Sequence, residues 1–325
     1  ILGIFPTPSI SHQVVFHALM KDLAARGHEL TILTTDLIKI NNENVTQIDL
    51  HSSYEIFKKE FNFVEFKSKG IDDLDLMDFF FPIMMKYVDS QLSHPEVRDL
   101  IDNHEQYQFD VIIVEHMTYL LLLAFAELYD VPVIGITSLD AFNENHDKMG
   151  NEANPVMHPE ILFPFIQGKL NFKQRRQALK FYLHRKFSQG PRHFLEMNNL
   201  MRKHFPKVSS SAEDLIERVD ILMTNTNPAL GFIRPLVPNT IQLGFMHIEP
   251  PKPLEEGALK KFLDESKNGV IYMSLGSNVQ SKDLGLEIQN IFLKVFANLP
   301  YDILWKFESD DLQNKKKNVM IQKWL

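Results

Sequence analysis

Short runs of β-branched and apolar residues alternate with helical patterns along most of this chain. Strands that are covered by helices on both faces read as continuous apolar runs, and this alternation is typical of a parallel sheet. The runs are ILGIF (1–5), ELTILTTD (29–36), VTQIDL (45–50), FDVIIVE (109–115), VPVIGITS (131–138) and VDILMTN (219–225). The sequence therefore predicts an α/β fold built on a doubly wound parallel sheet.

The first strand–helix unit carries the clearest helical pattern. Val15, Leu19 and Leu23 recur at a spacing of four within residues 12–26, which places them on one face of a helix. Gly27 follows directly and supplies a helix stop before the second strand. We therefore expect a strand, a helix and a parallel strand within the first 36 residues.

A proline-rich stretch, IEPPKPLEE, marks a change of domain. It predicts a first domain over residues 1–248, a linker over 249–254 and a second domain over 255–325. The second domain begins as another α/β unit, with a helix at about 255–266 and a strand in GVIYMSLGS (269–277). A helix through Phe296 and strands in DILWKF (302–307) and NVMIQKWL (318–325) follow. Because such a sheet ordinarily has five or six strands, we expect this second domain to be incomplete.

Composition excludes several classes of function. A chain of 325 residues with 44% hydrophobic content can bury a large core, and a net charge of −8 with a pI near 5.9 argues against a nucleic-acid-binding protein. The absence of cysteine removes disulfides, thiolate nucleophiles and zinc knuckles. No Walker A, GxGxxG, HExxH or GxSxG pattern occurs, which disfavours nucleotide hydrolysis, nicotinamide chemistry, zinc proteolysis and serine hydrolysis.

Residues 161–195 form a basic segment without a single Asp or Glu, in which eight Lys and Arg residues alternate with Phe, Leu and Tyr. Two interpretations stay open. The segment lies on an anionic membrane surface, or it is a solvated helix whose apolar face packs on its own domain. The longest apolar run, Tyr119 to Ala126, is too short to span a bilayer.

Two residues at the predicted sheet edge suggest acid–base chemistry. His12 follows the first strand and Glu115 ends FDVIIVE, and ligands of doubly wound sheets gather beyond the carboxyl ends of the strands. A carboxylate that holds one ring nitrogen of histidine protonated leaves the other nitrogen free to accept a proton. The alternative is an ordinary polar surface histidine. His17 and His28 read as structural, and His116 is a reserve partner that we expect on the opposite side of the strand.

Two further patterns suggest ligands more weakly. Gly276 and Ser277 end a strand of the second domain, and such a turn suits an anion such as a diphosphate. Asp73-Leu74-Asp75 has the spacing of a metal-bound diphosphate site, but it lies away from the predicted strand ends. A solvated acidic loop is the favoured interpretation of that triplet, so we predict no metal site.

Taken together, these pieces resemble the UDP-glycosyltransferases of animals, most nearly the insect-type branch. The residues that carry the resemblance are ILGIFPTPSISHQ, RGHELTILTTD, FDVIIVEH, VPVIGITS, PPKPLEE, NGVIYMSLGSNVQSKDL and ILWKFESDDL. The resemblance implies the GT-B type of fold, in which two Rossmann-like domains face each other across a cleft. The first holds the acceptor and the second, here truncated, holds the UDP-sugar.

The resemblance also implies roles for individual residues. His12 matches the catalytic base, which takes the proton of an acceptor hydroxyl as its oxygen attacks the anomeric carbon with inversion. Glu115 occupies the position that orients this base, where the broader family often has Asp. Trp324 matches the start of the donor signature, whose Trp stacks on uracil. No metal or cofactor is implied, and the insect-type pattern favours glucose over glucuronic acid as the sugar.

The implied partners are a UDP-sugar and a small lipophilic acceptor, with no nucleic acid; a homo-oligomer and membrane contact through 161–195 stay open. The chain starts with Ile inside a strand, so we expect that a segment has been removed from its front. The resemblance implies a longer protein of the endoplasmic reticulum lumen with a signal peptide and a membrane anchor. We expect these 325 residues alone to be inactive. The competing hypothesis is a non-catalytic protein that keeps the acceptor fold to bind lipophilic ligands or an active enzyme.

Overall fold

A computed structural model describes residues 1–61, 74–162, 169–230 and 233–324 of the chain. These residues fall into two compact units, of which the larger ends at Ile248 and the smaller begins at Glu249. Around this boundary, residues 248–255 have no regular secondary structure and are exposed. In the described part of the chain, no helix combines the length and the apolar character needed to cross a membrane.

The larger unit is organised around a parallel sheet of seven strands in the order β3-β2-β1-β4-β5-β6-β7. The strands are β1 (Leu2–Phe5), β2 (Leu30–Thr34), β3 (Val45–Asp49), β4 (Ile112–Glu115), β5 (Val133–Thr137), β6 (Val219–Thr224) and β7 (Thr240–Gln242). Each neighbouring pair is parallel, and β1 pairs with both β2 and β4. The six predicted strands are confirmed, and β7 is an additional strand that periodicity did not identify.

Helices pack on both faces of this sheet. Its described helices are α1 (Ile10–Ala25), α2 (Ser53–Glu60), α3 (Leu76–Leu92), α4 (Pro95–Asp102), α5 (Ala124–Tyr129), α6 (Asn143–Lys148), α7 (Phe172–His184), α8 (Gly190–His204) and α9 (Ala212–Leu215). Strand β4 shows the arrangement, since Ile112 and Val114 lie in one apolar cluster and Ile113 lies in another. Burial of both faces explains why the strands are continuously apolar in sequence.

Helix α1 follows β1 as predicted, with a shifted buried stripe. Phe16, Met20 and Ala24 are buried, whereas Leu19 and Leu23 pack only partly against the same cluster. The residues that were predicted from the spacing of four therefore lie along one edge of the buried face of α1. Gly27 has a φ of 88°, and the amide of His28 donates to the carbonyl of Leu23 at 3.2 Å, so Gly27 ends the helix in the left-handed conformation expected of it.

The smaller unit contains a parallel three-stranded sheet in the order β10-β9-β8. Its elements are α10 (Ala258–Glu265), β8 (Val270–Met273), α11 (Leu286–Ala297), β9 (Asp302–Lys306) and β10 (Val319–Gln322). Trp305 is fully buried in its core, where it packs edge-on against Phe296 and Phe307. The helices and strands predicted after the linker are thus present.

Candidate active site

The candidate site of the larger unit lies where the strand order reverses. Strands β1 and β4 are neighbours, although they are far apart in sequence, and Ile4 pairs with Val114. Their carboxyl ends therefore meet at one edge of the sheet, which is the usual ligand-binding position of a doubly wound fold. His12 projects from the first turn of α1 after β1, and Glu115 is the last residue of β4.

The structure brings His12 and Glu115 together. Nδ1 of His12 lies 2.8 Å from Oε1 of Glu115, across 103 residues of sequence. The Glu115 side chain is fully buried, whereas that of His12 is 22% exposed. Ser138, which follows β5, places its Oγ 2.9 Å from the same Nδ1.

The hydrogen bonds of Glu115 determine the tautomer of His12. Oε2 of Glu115 accepts from the Thr7 amide at 3.3 Å and from the Thr7 hydroxyl at 2.7 Å, as expected of an ionised carboxylate. Oε1 also needs a donor, so Nδ1 of His12 carries the ring proton and shares it with Ser138. The neutral ring then has Nε2 as a hydrogen-bond acceptor, which is the form that a general base requires.

A buried hydroxyl chain lies behind Glu115. Thr7 Oγ1 is 2.9 Å from the Tyr119 hydroxyl, which in turn bonds to the hydroxyl of Tyr87. Thr7 has a single hydroxyl proton and the carboxylate is its stronger acceptor, so Tyr119 donates to Thr7. Burial, and next the charge of Glu115, raises the pKa of Tyr119. Tyr119 therefore stays protonated and serves as a donor.

Gln13 holds the turn that carries these groups. Its amide nitrogen donates to the carbonyls of Phe5 at 3.0 Å and Thr7 at 2.8 Å, and its oxygen accepts from the hydroxyl of Thr34 at 2.8 Å. The side chain is completely buried. An amide that is both donor and acceptor thus joins the turn after β1 to the end of β2, and it fixes where α1 and His12 begin.

The remaining histidine candidates do not join the pair. His28 is exposed beyond the end of α1, and burial lowers the pKa of His17, which lies one turn after His12. His116 is 2% exposed and packs against Gly135, where a Cβ atom would lie 2.9 Å from the His116 Cβ. Burial lowers the pKa of His116 to about 4. His116 is therefore a neutral core residue.

In the smaller unit, Gly276 and Trp324 contact the same lysine. Lys306 ends β9, and its Nζ donates to the carbonyl of Gly276 at 3.0 Å and to Oε1 of Glu308 at 2.7 Å. The same Nζ lies 5.0 Å from the centre of the Trp324 ring, which is within the range of a cation–π contact. Gly276 has a φ of 85° and open space around its Cα. Ser277 is partly exposed beside it.

The acidic triplet falls partly outside the described residues, because Asp73 is not among them. Oxygen atoms of Asp75 and Asp78 approach a ring nitrogen of His184 within 4.8 Å. Asp78 is already paired with Arg192 at 2.8 Å and with His193 at 3.0 Å. Asp78 therefore already has partners on α8, and the interpretation of the triplet as a solvated acidic loop stays a prediction.

Sequence reasoning did not identify Thr7, Tyr119, Ser138 or Lys306 as site residues. Thr7 and Ser138 are small polar residues directly after buried strands, a signal that was present in PTP and VPVIGITS. Lys306 ends an apolar strand, where a buried lysine is unusual. Tyr119 lies in an apolar run and gave no signal.

The sequence is similar to a known protein family over almost its whole length. The family model described as "UDP-glucoronosyl and UDP-glucosyl transferase" matches residues 3–325. The ecdysteroid UDP-glucosyltransferase of Mamestra brassicae nuclear polyhedrosis virus is 30% identical over 100% of this chain and 63% of its own length. UDP-glucosyltransferase 2 of Dactylopius coccus is 30% identical over 100% of this chain and 62% of its length. The chain thus spans less than two thirds of these relatives.

Solved structures show the same fold. CalG4, the calicheamicin glycosyltransferase, superposes with a TM-score of 0.53 at 14% identity, over 100% of this chain and 70% of its own. The spinosyn forosaminyltransferase SpnP gives a TM-score of 0.53 at 12% identity, with the same coverage. The fold is therefore that of the GT-B glycosyltransferases, here with parallel sheets of seven and three strands.

His116 gives folding a specific pH dependence. Its pKa falls from an ordinary 6.5 to about 4 on burial. Its contribution to stability is complete above pH 6.5 and is lost as the pH falls toward 4, because only the unfolded chain then binds the proton. Urea denaturation between pH 7 and 4 should show a smaller loss for His116→Gln than for the unaltered chain. The exposed control His28→Gln should keep the full loss, and equal losses in both variants would contradict the assignment.

Proposed function

Because this chain belongs to the family of UDP-glucuronosyl and UDP-glucosyl transferases, we propose that the complete protein transfers glucose from a UDP-sugar to a hydroxyl group of a small lipophilic acceptor. The observation that carries this proposal is the His12–Glu115 pair at the switch point of the first sheet. Relatives that are named glucosyltransferases support glucose as the sugar.

His12 acts as the general base in the proposed reaction. Nε2 accepts the proton of the acceptor hydroxyl while the hydroxyl oxygen forms a bond to the anomeric carbon of the sugar. The bond from that carbon to the diphosphate oxygen breaks, UDP leaves with the electron pair, and the configuration is inverted. General-base catalysis of this kind contributes about 10² to 10⁴ in rate.

Glu115 orients the base and stabilises the imidazolium that forms. Its charge is buried and pre-positioned by Thr7, so it needs no reorganisation when His12 gains its proton. The extra methylene of Glu relative to Asp is accommodated, because the contact between Oε1 and Nδ1 has a normal length of 2.8 Å. Ser138 restrains the same ring nitrogen from the neighbouring strand.

The smaller unit is proposed to hold the donor. The amides around Gly276 and the hydroxyl of Ser277 suit a diphosphate, and the exposed ring of Trp324, which is 61% accessible, offers a surface on which uracil stacks. Lys306 connects the glycine turn to this ring. The proposed reaction uses no metal or cofactor.

A non-catalytic binding protein is the alternative, and His12→Ala in the protein from the complete reading frame separates the two. If the protein transfers sugar as proposed, His12→Ala should lower kcat by about 10² to 10⁴ and leave the affinity for the acceptor unchanged. Glucosylation of a panel of lipophilic alcohols and phenols, with acceptor binding measured by calorimetry, gives both quantities. His28→Ala is the control and should be unchanged. A His12→Ala enzyme within twofold of the parent kcat would disprove the role of His12.

Thr7 is proposed as a positioning residue for Glu115. Thr7→Val removes a charge-assisted hydrogen bond, and we expect kcat to fall about 10- to 100-fold with little change in KM. Thr7→Ser keeps the hydroxyl and should remain within about threefold. The pH–rate profile is the decisive readout, because loss of a Glu115 contact should move its acidic limb, where the general base gains a proton. An unmoved profile with reduced kcat would mean that Thr7 only supports folding.

Trp324 should control nucleotide affinity. Trp324→Ala removes the stacking surface, which is worth about 1–3 kcal/mol for a base on an aromatic ring, so UDP should bind about 10- to 100-fold more weakly. Trp324→Tyr retains an aromatic face and should recover most of the affinity. Titration calorimetry with UDP on the protein from the complete reading frame measures both variants, and equal affinity in all three proteins would remove Trp324 from the donor site.

A further inference from the structure

In the described part of the basic segment, several large apolar side chains face solvent. On α7 and the π-helical turn Arg185–Gln189 that continues it, four of these side chains are exposed: Phe172 at 84%, Leu179 at 42%, Leu183 at 43% and Phe187 at 71%. On the inward side of α7, Ala178 and Phe181 are buried and pack with Leu170 and Leu74. Packing on its own domain therefore accounts for only part of the apolar content of this segment.

The exposed side chains form one stripe along the helix. At 100° per residue, Phe172, Leu179 and Leu183 project within about 20° of one direction, opposite to the buried Phe181. The stripe extends for about 16 Å along α7, and Phe187 continues it beyond the helix end. We call Phe172, Leu179, Leu183 and Phe187 the α7 stripe. Large apolar side chains that are aligned and exposed in this way on a folded protein indicate an interaction site.

Four cations next to the stripe have no carboxylate partner among the residues that the structure describes. In the described ranges of the chain, no carboxylate lies within ion-pair distance of Lys169, Lys173, Arg176 or Lys180. The basic residues that face the protein are paired instead. Arg185 lies 3.9 Å from Glu144, Lys186 lies 3.3 Å from Asp147, and Arg192 lies 2.8 Å from Asp78.

We propose that the α7 stripe and its four unpaired cations dock on an anionic phospholipid surface, with α7 lying parallel to the membrane plane. Phe and Leu side chains then enter the boundary between headgroups and acyl chains, and the long Lys and Arg side chains extend to the lipid phosphates. Each cation near such a surface strengthens binding by about fivefold, the equivalent of about 1 kcal/mol. This surface contact is distinct from sugar transfer and does not depend on it.

Charge favours a membrane over a second copy of the chain. Residues 161–195 contain no Asp or Glu, so two stripes facing each other would bring the positive charges of two copies of this segment together. A lipid surface supplies both the apolar layer and the negative charge. The whole chain carries a net charge of −8, so an anionic membrane repels the chain as a whole and attracts the positive charges of α7. This difference orients the protein with α7 toward the membrane.

Vesicle co-sedimentation tests the proposal on this chain. At low ionic strength, binding to phosphatidylcholine vesicles with 30% phosphatidylserine should exceed binding to pure phosphatidylcholine at least tenfold, and 0.5 M NaCl should remove most of the difference. The double variant Phe172→Ser/Phe187→Ser and the triple variant Lys173→Glu/Arg176→Glu/Lys180→Glu should each bind at least tenfold more weakly. Both change exposed positions, and circular dichroism verifies their fold.

Matched controls distinguish α7 from general charge and hydrophobicity. Lys315→Glu/Lys316→Glu/Lys317→Glu reverses three exposed cations elsewhere, and Leu230→Ser removes an apolar side chain that is 67% exposed. Both should bind within twofold of the parent. Equal losses in the controls and in the α7 variants would overturn the proposal, as would absence of binding by the parent chain. Concentration-dependent dimerisation that the α7 variants abolish would instead identify the stripe as a contact between copies.

Discussion

The buried carboxylate of Glu115 is the interaction around which the candidate site is arranged. A charge removed from water is costly unless donors surround it, and here Thr7 supplies an amide and a hydroxyl while His12 supplies its Nδ1 proton. These contacts hold the carboxylate and determine which nitrogen of His12 is available. The protonated tyrosines behind Thr7 extend the same arrangement into the core.

Sheet topology makes this arrangement attainable. Residues separated by 103 positions meet because β1 and β4 are neighbours where the strand order reverses, and Ser138 joins from the next strand. Gln13 then sets the start of α1 through two backbone carbonyls. A histidine on the first turn of a helix thereby becomes part of a rigid edge of the sheet.

In the smaller unit, too, the residues of the candidate site lie at the carboxyl ends of parallel strands. Lys306 stands at the carboxyl end of the central strand β9, and it links the turn at Gly276 to the ring of Trp324 after β10. Two residues singled out from sequence as donor-binding thus share one contact, although their role stays a proposal. By contrast, α7 shows where local pattern was insufficient, because basic and apolar residues alone could not tell which side of the helix the domain covers.

Six of the seven strands of the larger sheet, their parallel arrangement and the candidacy of His12 and Glu115 followed from sequence alone, because hydrophobic periodicity and strand-end position are local properties. The hydrogen-bond partners of the Thr7, Tyr119 and Ser138 hydroxyls became visible only in the tertiary structure, since they are supplied by strand neighbours and not by chain neighbours. The exposure of the α7 stripe was likewise decided by the tertiary structure. The sequence shows that a helix has an apolar face, but only packing decides whether that face is covered.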